Sequence, residues 1–464
     1  MSKDDTGMSG SDDSHMPPAG SAGSNGNKGH DMGYEQGYAQ RSRFIHGEMV
    51  SPHWDYSHHV VPPMSASATY RLDSGQRGAQ GFCQFGTTEA VEQEILIYDR
   101  LQEPTSSMLE DRLAEAERAA VGISFATGMA AISAAITSLV TTGQHVIAHK
   151  CLYGCTTSLL KNWYPRIGIN VSFIDTDNPD ELRAAIRPET RVVYLETPVN
   201  PTLEIIDLRR MSDVLDEVNA KRPPEERIYS ICDNTFATPL CQRPREHGVD
   251  VVVHSLTKGI GGFGTDMGGI VLCPLELEPM YKLYRKDFGG SLSPKAAWPP
   301  LVYGLPTLPV RMRQMQYNAQ KVAEYLSDHP LVAKVRYPGL ADNPDHAVAR
   351  RQMTNFDGAF MPGSLLYFTL KEEPGSNDNA EAMINWTADN SYVITLAVSL
   401  GQVKTLIENP SSMTHSALDP EMQAEGGVEP GGIRLSCGLE ETNDIIRDLE
   451  AALMYVASRK REKV

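Results

Sequence analysis

Five short apolar runs constrain the fold of this chain more than any other feature. They are HVIAH (145–149), RVVYLE (191–196), RIYSICD (227–233), DVVVHS (250–255) and GGIVLC (268–273). Segments of helical composition, such as PDELRAAIR and DLRRMSDVLDEVNAKR, lie between several of them. Runs this apolar fit strands buried on both faces, and their alternation with helices predicts a mostly parallel sheet covered on both sides. Ahead of them, SSMLEDRLAEAERA carries Leu109, Leu113 and Ala116 at helical spacing. After about residue 305 the pattern turns to α+β. VRMRQMQYNAQKVAEYLSDHP reads as a long helix, SLLYFTLK as a strand and TNDIIRDLEAALMYVASRK as a closing helix. The expected class is α/β with a smaller C-terminal α+β domain, the boundary lying near Gly304–Pro309.

Residues 1–40 are rich in Gly, Ser, Asp and Met and read as a disordered tail. Residues 41–104 read as an N-terminal arm. Within it HVVPPMSASATYRL and GAQGFCQFG show no helical period and look extended. The 464 residues carry a formal net charge of −17, which argues against a nucleic-acid partner. Seven irregularly spaced cysteines fit free thiols in a reducing compartment. No apolar run approaches the roughly 18 residues of a membrane span. The expectation is a cytoplasmic protein with no membrane or nucleic-acid partner.

The stretch DVVVHSLTKGIGGFGTDMGG, residues 250–269, delivers one lysine and then a flood of glycine. Gly259, Gly261 and Gly264 spell the dinucleotide pattern, but another strand follows where that pattern needs a helix. A phosphate loop needs its glycines before the lysine, and here they come after Thr257 and Lys258. What remains is a lysine at the C-terminal end of a buried strand, where open α/β sheets bind ligands. Burial disfavours its ammonium form, and a neutral amine can form an imine with an aldehyde. A surface lysine in a turn is the plainer alternative.

Other strand ends supply matching chemistry. Asp233 ends one run, and Glu196 and Asn200 follow another. Thr127 can cap a helix whose first N–H groups, at Gly128 and Met129, face an anion. An anion-binding helix start, an acid, an amide and a lysine together suit pyridoxal 5'-phosphate, with the aspartate keeping the pyridine nitrogen protonated. His145, His149, Cys151 and Cys155 are all zinc-ligand types, but their spacing fits no common zinc signature and they read as core or site-lining residues. No metal is expected.

The chain resembles the Cys/Met-metabolism family of pyridoxal-phosphate enzymes from about residue 44 to its end. The motifs are YDRLQEPT (98–105), ATGMAAISA (126–134), LYGCTTS (152–158), LETPVNPT (195–202), CDNTFATP (232–239), HSLTKG (254–259), VSLGQVKTLIENPSSMTHS (398–416) and IRLSCGLE (433–440). The resemblance implies an aspartate-aminotransferase-like fold, with a cofactor-binding large domain over 105–306 and a small domain over 307–464. It also implies roles. Lys258 holds the cofactor aldehyde and moves protons, Asp233 pairs with the pyridine nitrogen, and Asn200 contacts the ring hydroxyl. Gly128, Met129, Ser255 and Thr257 hold the phosphate, and Thr235 belongs to the cofactor site. Tyr98 and Arg100 reach the neighbouring subunit's phosphate site, so the active unit is a dimer and the assembly a homotetramer. Tyr153 stacks on the ring and serves the leaving group, its phenol pKa lowered by nearby cations. Arg434, with Ser399, grips the carboxylate of a small amino-acid substrate. Asp99 and Glu103 stand where the family usually has serine and asparagine, adding negative charge near a phosphate site. The segment DSGQRGAQGFCQFG is also unusual for the family.

Within the family, Tyr153-Gly154-Cys155-Thr156 resembles methionine γ-lyases, where most relatives have Gly in place of Cys155. YRKDFGGSLSP resembles the same group, with Lys286 and Asp287 lining the substrate pocket. The expected reaction is α,γ-elimination of methionine to methanethiol, 2-oxobutanoate and ammonia. Cystathionine γ-lyase, O-acetylhomoserine sulfhydrylase and cystathionine γ-synthase chemistry stay open, as does a binding or structural homologue without turnover.

Overall fold

The computed structural model describes residues 38–46, 59–86, 94–373, 375–416 and 419–462. The expected disordered tail therefore lies, except for its last three residues, outside the described residues. The central sheet has seven strands: β1 (Val121–Phe125), β2 (His145–His149), β3 (Asn170–Ile174), β4 (Thr190–Glu196), β5 (Tyr229–Asp233), β6 (Val251–Ser255) and β7 (Gly269–Cys273). Their spatial order is β1-β7-β6-β5-β4-β2-β3. Neighbours from β3 across to β6 pair in parallel, while β7 runs antiparallel to both β6 and β1.

Burial explains why these runs lack alternation. Val251, Val252 and Val253 of β6 are all fully buried. Val252 enters the core under the helices Pro104–Ala116 and Leu305–Asp328, and its two neighbours enter the core on the opposite face. With helices on both sides, each fully buried valine contributes roughly 1.5–3 kcal/mol, and a polar residue at any of the three would sit in a core.

A smaller second sheet follows, built from β8 (Val332–Arg336), β9 (Leu365–Leu370), β10 (Ile394–Leu396), β11 (Thr405–Glu408) and β12 (Gly432–Ser436), in the order β10-β11-β12-β9-β8. The helices Leu305–Asp328, Asp378–Asn390 and Thr442–Glu462 share its core through Val322, Met383 and Leu453. The arm departs from expectation. Gly75–Gln84 is an α-helix, started by the Ser74 hydroxyl accepting from Arg77 N, and Gln40–His46 is a second. The glycine-rich composition had masked the helix, yet Gly81 packs so closely on Ile95 and Ile97 that a side chain has no room there. All seven cysteines are free thiols. Among the described residues no helix is long and apolar enough to cross a membrane.

Candidate active site

The C-terminal ends of β4, β5 and β6 open into one cavity of about 240 Å³, lined among others by Gly128, Met129, Tyr153, Asn200, Asp233, Thr235, Ser255, Thr257, Lys258, Ser399 and Arg434. Two sheets contribute to it. Residues up to Lys258 come from the central sheet and its connections, and Ser399 and Arg434 from the second.

Lys258 lies in the turn that follows β6. Its Nζ donates to Ser399 Oγ at 2.8 Å. Burial, seconded by the Arg434 guanidinium, lowers its pKa to about 8. Ser399 is held at φ +100°, a backbone region that side-chain-bearing residues rarely occupy, and its carbonyl oxygen accepts from Arg434 Nη2 at 3.1 Å.

Arg434 is buried, and burial lowers its pKa. Its partners are Asn200 Oδ1 at 2.8 Å and the carboxylate of Glu408 at 2.8 Å. The antiparallel register of β11 and β12 sets Glu408 directly opposite Arg434. The Thr414 hydroxyl donates to the same Glu408 oxygen at 2.9 Å. Glu408 was not anticipated as a site residue. Its only signal was an acid within the run 398–416, and the pairing of two strands was needed to reveal its partner.

Asp233 and Glu196 end adjacent strands opposite one another. Burial raises both carboxyls. Glu196 accepts from the backbone N–H of Tyr153 at 2.7 Å, so it holds the tyrosine segment in place. Asp233 accepts from Thr235 N at 2.9 Å, and the Thr235 hydroxyl accepts from Ser255 N at 2.8 Å, which ties the ends of β5 and β6 together. Thr257 Oγ1 accepts from Gly268 N at 3.2 Å and braces the lysine turn.

The Thr127 side chain caps the helix Gly128–Thr137 by accepting from Ala130 N at 3.0 Å. The N–H groups of Gly128 and Met129 are then among those a helix start leaves for an outside acceptor. A Cβ at Gly128 would sit 2.8 Å from Ser255 Cβ, so only glycine lets the helix start and the serine share one cradle.

Pyridoxal phosphate fits these residues. The cradle suits its phosphate, and the lysine amine suits its aldehyde. A carboxyl whose pKa is raised by lost water, as at Asp233, gains from a pyridinium N–H partner.

One expectation is corrected. Burial, the Cys155 thiol and Glu196 raise the Tyr153 phenol pKa, and the opposing influence of Arg434 is smaller. Cationic charge does not lower it. Glu103 caps a helix start. Buried at 2% exposure, its carboxylate accepts from Thr105 N at 2.8 Å and from Ser106 N at 2.5 Å. Asp99 is half-buried, with its pKa raised by burial.

Within one chain, five anticipated site residues stay outside the cavity: Tyr98, Arg100, Cys155, Lys286 and Asp287. The Arg100 guanidinium lies 5.5 Å from the centre of the Tyr98 ring, and it donates to the backbone oxygen of Lys286. Lys286 and Asp287 pair at 3.4 Å with their side chains a third to a half exposed. Cys155 is exposed beside the cavity, its Sγ donating to Tyr153 OH at 3.4 Å. His145, His149 and Cys151 each take separate partners: Thr190 and Ser172, Thr176, and the Asn200 carbonyl.

A lysine, an acid and an anion cradle arranged this way define a pyridoxal-phosphate enzyme. The chain belongs to the family described as Cys/Met metabolism PLP-dependent enzyme, whose profile matches residues 42–454. It is therefore an enzyme, and its cofactor is pyridoxal 5'-phosphate. It is 39% identical over 396 residues to an L-methionine gamma-lyase of Fusobacterium nucleatum subsp. polymorphum, covering 85% of this chain and 93% of that one. It is 36% identical over 357 residues to a cystathionine gamma-lyase of Bacillus subtilis, covering 77% and 88%. Among solved structures it is similar to cystathionine gamma-lyase from Lactobacillus plantarum complexed with L-serine, at TM-score 0.77 and 31% identity over 90% of this chain and all of that one.

Proposed function

We propose that this chain is a methionine γ-lyase, cleaving L-methionine with water to methanethiol, 2-oxobutanoate and ammonia. The observation that carries the reading is the 3.4 Å contact between the Cys155 thiol and the Tyr153 hydroxyl. It sets a sulfur-bearing residue beside the phenol that serves the leaving sulfur. The relatives bearing the name L-methionine gamma-lyase, at 35–39% identity, support it.

When bound, pyridoxal phosphate supplies an electron sink for the negative charge left at the substrate α-carbon. The protein does the rest. Gly128, Met129, Ser255 and Thr257 hold the phosphate, Asp233 holds the ring nitrogen, with Thr235 fixing that carboxylate, and Asn200 meets the ring hydroxyl. Arg434 and Ser399 orient the substrate carboxylate. With a pKa near 8, about a tenth of Lys258 Nζ is neutral at pH 7, far more than an ordinary lysine would be, and this amine takes the α-proton. Tyr153, which lines the cavity, would lie against the ring. Its raised pKa keeps the phenol protonated, so a proton is in place beside the departing thiolate, while making it a weaker acid than an ordinary phenol. The reading includes a cytoplasmic homotetramer of paired dimers, in which Tyr98 and Arg100 serve the neighbouring copy and Lys286 and Asp287 line the substrate entrance. The 41% exposure of Tyr98, outside its own chain's cavity, favours that arrangement.

The test is end-product identification with methionine, homocysteine, cystathionine and cysteine offered separately. Methionine alone should give 2-oxobutanoate and methanethiol. A product formed only when a second thiol is added, as a new thioether, would overturn elimination in favour of replacement.

A further inference from the structure

The glycines after Lys258 leave space for a buried cation. Arg311, in the helix Leu305–Asp328, is 3% exposed. Its Nη1 donates to the carbonyl oxygen of Gly259 at 2.9 Å, and its Nη2 to those of Ile260 at 3.2 Å and Gly304 at 2.8 Å. Its Nε donates to Thr307 Oγ1 at 2.9 Å. No carboxylate pairs with this guanidinium among the described residues, and burial lowers its pKa to about 10. A buried cation is costly unless its donors are satisfied, and here backbone carbonyls satisfy them. Gly262 makes the approach possible. Its φ is +76°, and a Cβ there would overlap the guanidinium.

The clamped loop is also the seat of a segment from the second sheet. Val403 N donates to Gly262 O at 2.9 Å. A Cβ at Gly401 would lie 2.6 Å from Gly259 N, so the two backbones touch. Ser399, two residues before Gly401, accepts from Lys258 through its side chain and from Arg434 through its carbonyl.

We propose that Arg311 is the positioning residue of the active-site lysine: it holds the loop Gly259–Gly264 as the seat of Ser399–Val403, and thereby sets Lys258 Nζ against Ser399 Oγ. The inference rests on Lys258 carrying the cofactor. Arg311 touches neither substrate nor cofactor. It acts by keeping two sheets' contributions in register, so its loss disturbs the proton-moving amine and the carboxylate grip together.

The test uses full-length holoenzyme carrying Arg311→Met or Arg311→Lys. Lysine keeps the charge but cannot span three carbonyls with a planar fork. For the methionine variant, kcat should fall about 100-fold and KM rise, because a displacement of about 1 Å costs that much. The apoprotein should regain the visible band of added pyridoxal phosphate about tenfold more slowly, since the amine must find the aldehyde from a wider range of positions. The lysine variant should fall between methionine and wild type on both readings, and it decides alone if the methionine variant does not fold. A folded variant with a lower melting temperature but wild-type kcat, KM and recapture rate overturns the proposal. Borohydride reduction of the wild type, with peptide mapping, separates the two layers. A label away from Lys258 overturns the reading of the lysine, and the proposal with it. A label on Lys258 together with unchanged variants overturns the proposal alone.

Discussion

Lys258 and Ser399 stand 141 positions apart in the chain, yet a 2.8 Å hydrogen bond joins them, and the serine accepts it from a backbone at φ +100°. The lysine comes from the turn after β6 and the serine from the second sheet's unit. The bond is thus a fastening between two parts of the fold as well as a contact within a site.

Removing the amine isolates its chemical role. Lys258→Ala should abolish 2-oxobutanoate release and the borohydride-fixable yellow colour, while far-UV circular dichroism stays that of the wild type. Turnover at the wild-type rate would end the proposed mechanism.

The lowered lysine pKa has a signature in stability. In the folded apoprotein Lys258 titrates near 8 rather than at the ordinary 10.5. Between those values the unfolded chain holds a proton that the folded chain has released, so this group's contribution to stability rises with pH across that window. Relative to Lys258→Met, the apoprotein should gain melting temperature from pH 8 to 10.5. A constant difference between the two would sink the assignment.

Ser399 combines a hydroxyl with a strained backbone, and two substitutions separate them. Both Ser399→Ala and Ser399→Gly remove the acceptor of the lysine hydrogen bond, and kcat should fall about tenfold in each, since bonds to charged groups contribute about 1.5–3 kcal/mol. Glycine also tolerates the left-handed backbone. By denaturant unfolding Ser399→Gly should be more stable than Ser399→Ala by about 1 kcal/mol.

The pair Arg434–Glu408 is buried on both sides, at 3% and 1% side-chain exposure. Glu408→Gln leaves the guanidinium without its counter-charge and should cost about 3–5 kcal/mol of unfolding free energy. A double change to Arg434→Met and Glu408→Met should recover much of that loss and none of the activity. Recovery of activity in the double variant would remove Arg434 from the substrate site.

Much of this site is legible in the sequence. Lys258, Asp233 and the capped helix start each sit at an element end, and element ends can be read from where apolar runs stop. Glu408 was not legible. Its meaning depends on the register of β11 against β12, a relation between segments 26 residues apart that no local pattern encodes. The arm misled for the opposite reason. GAQGFCQ looks like turn material, but its glycines serve close packing, with Gly81 pressed against Ile95 and Ile97. Glu103 has a role that its charge alone does not show: its carboxylate caps a helix.

The antiparallel course of β7 beside β6 makes Lys258 part of the link in a hairpin, while the anion cradle opens the helix that follows β1, on the far side of β7. Lysine, aspartate, cradle and arginine are therefore joined only after the most distant pairings along the polypeptide have closed, the slow kind of pairing in chain collapse. The yellow colour of bound vitamin then doubles as a clock: on dilution from denaturant its return should lag recovery of helix signal, marking the moment when the last long-range pairings lock.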